Sequence, residues 1–318
     1  MTIVRYPDES RPPQWRHPVL ALGNFDGVHR GHLKIVERVC RVADERSASA
    51  VAMTFDPHPS QIIRPDKAPL LLMTTAQKLE ALARAGVHGI AIVNFTAEMS
   101  RWEPETFVRT VLVEWMRVAE VWVGANFLFG RDRSGNFSTL RSLGARYGFR
   151  AEKIDPVRYK DFVVSSTRIR RLVGEGRVDE AGALLGRHYT IGGSVVQGDR
   201  RGRGLGFPTA NLCTANELLP PPGVYATMTQ VGAVFHPSVT NVGVRPTFAT
   251  DRPEPDGPQT VVETHLLAFD DDLYGRTVRL AFVQRLREER RFDTPEALRA
   301  QIGADCGQAR TLFDAMSL

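Results

Sequence analysis

Cysteine is nearly missing from this chain: Cys40, Cys213 and Cys306 stand far apart in 318 residues. An odd number of cysteines with no CxxC spacing supports neither a disulfide framework nor a zinc site. Lysine is scarce too, limited to Lys34, Lys67, Lys78, Lys153 and Lys160, so the formal net charge of +5 rests on arginine. No dense basic run is interleaved with stacking aromatics, which argues against a nucleic-acid partner. The N-terminus has no signal-peptide core and no apolar run approaches membrane-spanning length, so a cytoplasmic protein without a membrane partner is expected. The phosphate loop GxxxxGKS or GxxxxGKT is absent as well, so any nucleotide chemistry must use other means.

What is present begins with Gly23-Asn24-Phe25-Asp26-Gly27-Val28-His29-Arg30-Gly31-His32. It follows the apolar run Val19–Leu22 and precedes Leu33, Ile35, Val36, Val39 and Val42, which have helical spacing. Strand, glycine-rich turn and helix together aim backbone N–H groups and a helix N-terminus at a phosphate. His29 and His32 lie three residues apart, on one side of the first helical turn. Gly31 between them allows close approach of a nucleotide to the backbone. Taken alone, two such histidines also suit a turn cap, and the strand–turn–helix context favours the chemical reading.

The chain is long for one core, and its pattern changes midway. Up to residue 124, strand-like runs (49–55, Gly89–Asn94, 119–124) alternate with helical patterns near 77–85 and 105–115. That alternation predicts a parallel sheet covered by helices, with ligands at the carboxyl ends of the strands. From about Gly186, short β-rich runs take over (Tyr189–Val196, 224–229, 260–269, 278–286), the spacing of an antiparallel barrel or sandwich. A closing helix is announced by Thr294 as N-cap and Pro295 at the first helical position.

The second half contains Gly202-Arg203-Gly204-Leu205-Gly206-Phe207-Pro208-Thr209-Ala210-Asn211-Leu212. Its glycines suit a flap whose N–H groups meet phosphates. Thr209 and Asn211 present hard oxygens at i and i+2, on one face of a strand, suited to Mg2+ and nucleotide phosphate. Glu263 interrupts the apolar run from Thr260 to Phe269, on the same face as Val261, His265 and Leu267. A carboxylate in that position is exposed, paired with a cross-strand arginine, or functional.

These segments carry a resemblance. GNFDGVHRGH resembles the HxGH signature of nucleotidyltransferases, in the long form of bacterial bifunctional riboflavin kinase/FAD synthetases. GRGLGFPTANL and the run from Val262 through VETHLLAFDDDLYGR resemble the riboflavin kinase half, and matching segments continue in order along nearly the whole chain. The resemblance implies a Rossmann-like α/β FMN adenylyltransferase domain over 1–186 and an antiparallel β-barrel riboflavin kinase domain with a terminal helix over 187–318. It implies two steps: riboflavin and ATP to FMN, then FMN and ATP to FAD and pyrophosphate, both with Mg2+.

In the first site the resemblance assigns His29 and His32 to catalysis. Gly23, Asn24, Phe25, Gly31, Ser165, Ser166, Thr167, Arg168 and Arg170 are assigned to ATP and its phosphates. Pro57 and His58, within Phe55-Asp56-Pro57-His58-Pro59, and Asn126 and Phe127, within Gly124-Ala125-Asn126-Phe127-Leu128-Phe129-Gly130, are assigned to the FMN and nucleotide cleft. Asn126 stands where the family commonly has Asp, which keeps hydrogen bonding but removes a charge, and Leu33 stands where Gln is usual. In the second site Glu263 is the implied base, Gly204, Gly206, Thr209 and Asn211 bind ATP and Mg2+, and Thr209 is the implied metal ligand. Two alternatives stay open: a chain with only the kinase activity, and a flavin-binding regulator without turnover. The partners are small molecules, and the sequence leaves an oligomer open.

Overall fold

The computed structural model describes residues 1–197, 206–244 and 260–316. Gly204, with the glycine cluster 202–205, and the segment 245–248 lie outside the described residues. The described chain forms two compact units, Met1–Ser166 and Thr167–Leu318.

The first unit is built on six parallel strands: β1 (Thr2–Tyr6), β2 (Val19–Leu22), β3 (Ala50–Asp56), β4 (Gly89–Asn94), β5 (Glu120–Gly124) and β6 (Arg150–Ile154), in the order β1-β4-β3-β2-β5-β6. All four residues of β2 are buried. Burial on both faces is what a continuous apolar run in a helix-covered parallel sheet requires. Helices α1 (Arg30–Glu45), α2 (Pro59–Ile63), α3 (Thr75–Arg84), α4 (Pro104–Phe107) and α5 (Phe137–Tyr147) accompany the strands. Ile35, Val36, Val39, Val42 and Ala43 of α1 are the buried positions, so the periodicity seen in sequence is the core-facing stripe. Residues 105–115 are helical in two pieces, α4 and then a wider π-helical stretch at Val108–Trp115. The unit ends with a small hairpin, β7 (Arg158–Tyr159) and β8 (Phe162–Val163).

Strand order reverses direction at β2, whose neighbours are β3 and β5. This is the switch point where an open α/β sheet leaves a crevice at its carboxyl edge. The GNFDGVHRGH turn follows β2 and the Gly124 turn follows β5, so topology brings both to that edge.

The second unit begins with α6 (Ser166–Gly174), whose first residue falls in the first unit, and α7 (Val178–Leu185). A closed antiparallel barrel follows, from β9 (Tyr189–Val196), β10 (Ala210–Thr214), β11 (Gly223–Val231), β12 (Val234–Val244), β13 (Thr260–Leu266) and β14 (Thr277–Glu288). Its strand order around the wall is β10-β13-β12-β11-β14-β9. The strand expected over 260–269 stops at Leu266, and Ala268 takes a positive φ of 54°. Helix α8 (Pro295–Ala315) starts as the sequence predicts, the Thr294 hydroxyl accepting from the Ala297 N–H at 3.2 Å. Its buried Cys306, Ala309 and Phe313 cluster with Val224, Ala226, Val239 and Val283.

Candidate active sites

At the edge of the parallel sheet, the chain between β2 and α1 is folded against its usual preferences. Phe25 (φ 51°), Gly27 (φ 87°) and Val28 (φ 36°) all have positive φ. For Phe and Val this is a costly backbone state that the surroundings must hold in place. Here both side chains are fully buried. The Asp26 carboxylate accepts the Leu72 N–H through both oxygens, at 3.0 and 3.1 Å. The Thr54 hydroxyl donates to the Asn24 carbonyl at 3.1 Å, and the Ser166 hydroxyl donates to the Asp26 carbonyl at 2.9 Å.

The result is a fixed histidine pair. His29 is the N-cap of α1, and its Nδ1 accepts the His32 N–H at 3.2 Å. Nδ1 is thus an acceptor, which leaves Nε2 as the nitrogen that can carry a proton. The two rings stack at 3.6 Å and 12°, and Phe25 meets His32 edge-on at 5.2 Å. A Cβ at position 31 would sit 3.1 Å from the His29 ring, so glycine is what lets the imidazoles lie this close to the helix start. Capping and chemistry are not exclusive: His29 caps the helix, and capping sets the direction of its ring.

The other residues expected at this site fall into distinct local roles. His58 caps α2, in a capping box with Gln61, and its Nδ1 is 2.6 Å from the Ser60 hydroxyl. Pro57 follows a cis peptide bond from Asp56. Asn126 is exposed in the turn after β5. Phe127 stacks on Phe129 at 5.2 Å, and Phe129, Phe107, Phe55 and Phe95 continue ring to ring. Spacing alone did not reveal this aromatic path, which runs from the turn after β5 past the end of β3 to the residue after β4. Gly23 and Asn24 lie in the strained turn with Phe25. Ser165 and Ser166 precede or open α6, and Thr167, Arg168 and Arg170 continue it within the second unit.

Lys78 is a residue the sequence reading passed over. It is buried on α3, and its Nζ donates to the Phe55 carbonyl at 3.0 Å. Burial holds its pKa below the usual lysine range, opposed by the nearby Asp56 and Asp26 carboxylates. A small cavity opens between Asp26, Asp56, His58, Thr75 and Lys78.

In the barrel, register assembles the second site. Asn211 on β10 lies directly across from Glu263 on β13, and Glu263 lies directly across from Asn241 on β12. In-register residues of adjacent antiparallel strands share a face. Three amide or carboxylate side chains therefore stand side by side on the outer wall, and neither in-register neighbour of Glu263 is an arginine. Thr209 stands just before β10 rather than within it. It lines a cavity with Pro208, Ala210, Thr264, Leu266 and the turn 269–274. Gly206 is described with φ 83°. Thr209 and Asn211 thus flank the start of β10, one facing the cavity and one facing Glu263.

The barrel interior holds a feature that alternation alone would have filled with apolar side chains. Thr227, Thr229, Ser238, Thr240 and Thr264 are all buried. Their hydroxyls close a ring: Thr227 to Thr240 at 2.7 Å, Thr240 to Thr264 at 2.9 Å, Thr264 to Thr229 at 3.5 Å, Thr229 to Ser238 at 2.7 Å and Ser238 to Thr227 at 2.8 Å. Every hydroxyl of the ring has hydrogen-bond partners, and that of Ser238 donates to the Thr227 carbonyl at 2.9 Å, which removes the penalty of burying them.

Comparison with known proteins supplies the family. The family described as FAD synthetase matches residues 11–168, and the family described as riboflavin kinase matches residues 185–313. Bifunctional riboflavin kinase/FMN adenylyltransferases from Pseudomonas fluorescens and from Escherichia coli K12 are 37% and 36% identical. The first alignment covers 98% of both chains, and the second covers 93% of this chain and 92% of the relative. The Bacillus subtilis protein of the same description is 34% identical, over 93% of this chain and 92% of its own. A crystal structure described as a macrolide-efflux protein from Streptococcus pneumoniae has a TM-score of 0.86 at 28% identity, covering 97% of this chain and 98% of that one. Among the described residues no helix is long and apolar enough to cross a membrane. With a histidine pair at the switch point of a parallel sheet and a glutamate registered against asparagine on a closed barrel, the chain belongs to the bifunctional riboflavin kinase/FMN adenylyltransferase family.

Proposed function

We infer that this chain phosphorylates riboflavin with ATP to FMN, and then transfers AMP from a second ATP to FMN, giving FAD and pyrophosphate. The observation that carries the reading is the register of Glu263 against Asn211, because it sets a carboxylate beside a phosphate- and metal-suited side chain. A ribityl hydroxyl is a poor nucleophile and gains from a base. Glu263 takes its proton as the oxygen attacks the γ-phosphorus, and ADP leaves with the electron pair of the broken bond. The acceptor in the second step is already a phosphate, mostly a dianion at neutral pH because its second pKa is about 6. No base is required there. The need is to stabilise charge on the α-phosphate and the departing pyrophosphate, a task suited to donors fixed in advance, His29 and His32. The polyphosphate role of Ser165, Ser166, Thr167, Arg168 and Arg170 rests on their motif, as do the cleft roles of Pro57, His58, Asn126 and Phe127.

Mg2+ fits the donor set of the kinase site. Thr209 and Asn211 offer hard oxygens, and a small ion that keeps water and phosphate ligands needs few protein groups. No cage of three His, Cys, Asp or Glu occurs among the described residues. Held by Thr209 together with the nucleotide, Mg2+ would supply neutralisation of phosphate charge. We place the functional division at residue 186, with adenylyl transfer before it and the kinase after it. Incubation with riboflavin, ATP and Mg2+, followed by chromatography, should show FMN first and FAD next. A folded protein that binds flavin and yields neither product is the regulator of the alternative reading.

A further inference from the structure

We propose that His265 is a positioning residue of the phosphoryl-transfer site, holding the segment ahead of Thr209 in place relative to Glu263. The proposal rests on the kinase reading above. His265 follows Glu263 by two residues on β13, so both side chains leave the same face of the strand. Its Nδ1 lies 2.8 Å from the Pro208 carbonyl. A carbonyl only accepts, so Nδ1 is the protonated nitrogen of the ring. Phe207 packs edge-on against the same ring, with centroids 5.5 Å apart and an interplanar angle of 87°.

The location of this bond gives it its consequence. Pairing between β10 and β13 begins at Ala210, opposite Thr264. Thr209 and Pro208 stand upstream of that ladder, and Pro208 has no N–H with which to extend it. His265 fixes the chain there by a side-chain bond where the backbone ladder has not yet started. Thr209 is then held from both sides, by the Ala210 pairing after it and by the Pro208 clamp before it. The strand that carries the base therefore also sets the position of the residue suited to phosphate and metal. Phosphoryl transfer has little covalent chemistry for a protein to perform and depends on alignment; a misplacement of about 1 Å can cost about 100-fold in rate.

The test uses the full chain carrying His265→Ala, His265→Asn or His265→Gln. Asn places its amide nitrogen where Nδ1 stood; Gln places it near the position of Nε2. His265→Ala should lower kcat/KM for ATP in FMN formation by about 10-fold to 100-fold. The KM for riboflavin should change less, and FAD formation from supplied FMN should be unchanged. His265→Asn should recover activity to within about threefold of the parent, and His265→Gln should not, because only Asn restores the donor to Pro208. Activity of His265→Ala within twofold of the parent overturns the proposal. So does equal impairment of the Asn and Ala variants, which would leave only ring packing against Phe207. If His265→Ala fails to fold by circular dichroism, the Asn and Gln pair decides, and equal activity of those two overturns the clamp. Failure of the parent chain to make FMN is a separate result and rejects the kinase reading itself.

Discussion

In the first unit the histidine pair hangs on a single helical turn, whereas in the barrel the candidate residues are drawn from strands far apart in the chain. His29 and His32 owe their geometry to local backbone: positive φ at Phe25 and Val28, a cap, and a glycine between the rings. Asn211, Glu263 and Asn241 owe theirs to pairing across three strands. The local device suits a reaction whose nucleophile is already ionised, where fixed donors suffice. The register device suits a reaction in which a base and a phosphate-binding group must meet around one hydroxyl. At the first site a turn has to be bent to aim the histidines, whereas in-register residues of the barrel wall face one another through strand pairing.

The sharpest way to separate the two is to remove the proposed base. Glu263→Gln keeps shape and removes basicity, so FMN formation should fall by roughly 10²–10⁴ while FAD formation from supplied FMN persists. If both activities are measured and FMN formation survives, Glu263 is a structural residue of the wall. The mirror experiment is His29→Ala, which should lower FAD formation by about 10²–10³ and spare riboflavin phosphorylation. Loss of both activities together would show that the histidine cap supports folding beyond its own unit.

A smaller effect tests how far each unit is self-sufficient. Helix α7 packs against β14 and β9 and buries Val178, Ala181, Leu184 and Leu185. A fragment starting at Thr167 should therefore resist urea better than one starting at Arg187, by several kcal/mol at about 1.5–3 kcal/mol per buried aliphatic side chain. Equal denaturation midpoints for the two fragments would place α7 outside the folding unit of the barrel.

The smallest expected effect is one of pH. Burial pushes the Tyr225 hydroxyl from 10.0 up to about 12, partly countered by Arg285. That hydroxyl donates to the Pro221 carbonyl at 2.6 Å. The folded barrel holds the neutral phenol, so this contribution is complete below pH 10 and is lost as pH rises to about 12. Tyr225→Phe should cost about 1 kcal/mol at neutral pH and flatten the fall in stability over that alkaline window. An unchanged alkaline slope in urea titrations of the variant would assign the loss to other groups.

Much of this was legible before any coordinates. The helical stripe of α1, the buried run of β2, the change from βα alternation to short strands and the Thr294–Pro295 helix start are local patterns with one physical solution each. The histidine pair was legible for the same reason, since its members are three residues apart. Strand ends were less so: the apolar run beyond Leu266 continues in sequence, yet the chain turns at Ala268, because turning depends on where the barrel closes. The aromatic path through Phe127, Phe129, Phe107 and Phe55 and the buried Lys78 left no signal in spacing, because each joins residues from different elements.

The sequence by itself determined the chemistry on offer: two imidazoles at a turn between a strand and a helix, and a glutamate with Thr209 and Asn211 in a β-rich half that lacks a P-loop. It also determined which elements carry those groups, because periodicity and capping act within a few residues. Tertiary structure alone decided which groups meet. Register placed Asn211 and Asn241 on either side of Glu263, and barrel closure joined five hydroxyls from strands β11, β12 and β13 into one buried ring. Pairing between distant strands is set by the shape and closure of the whole barrel, and a one-residue shift would turn Glu263 to the opposite face.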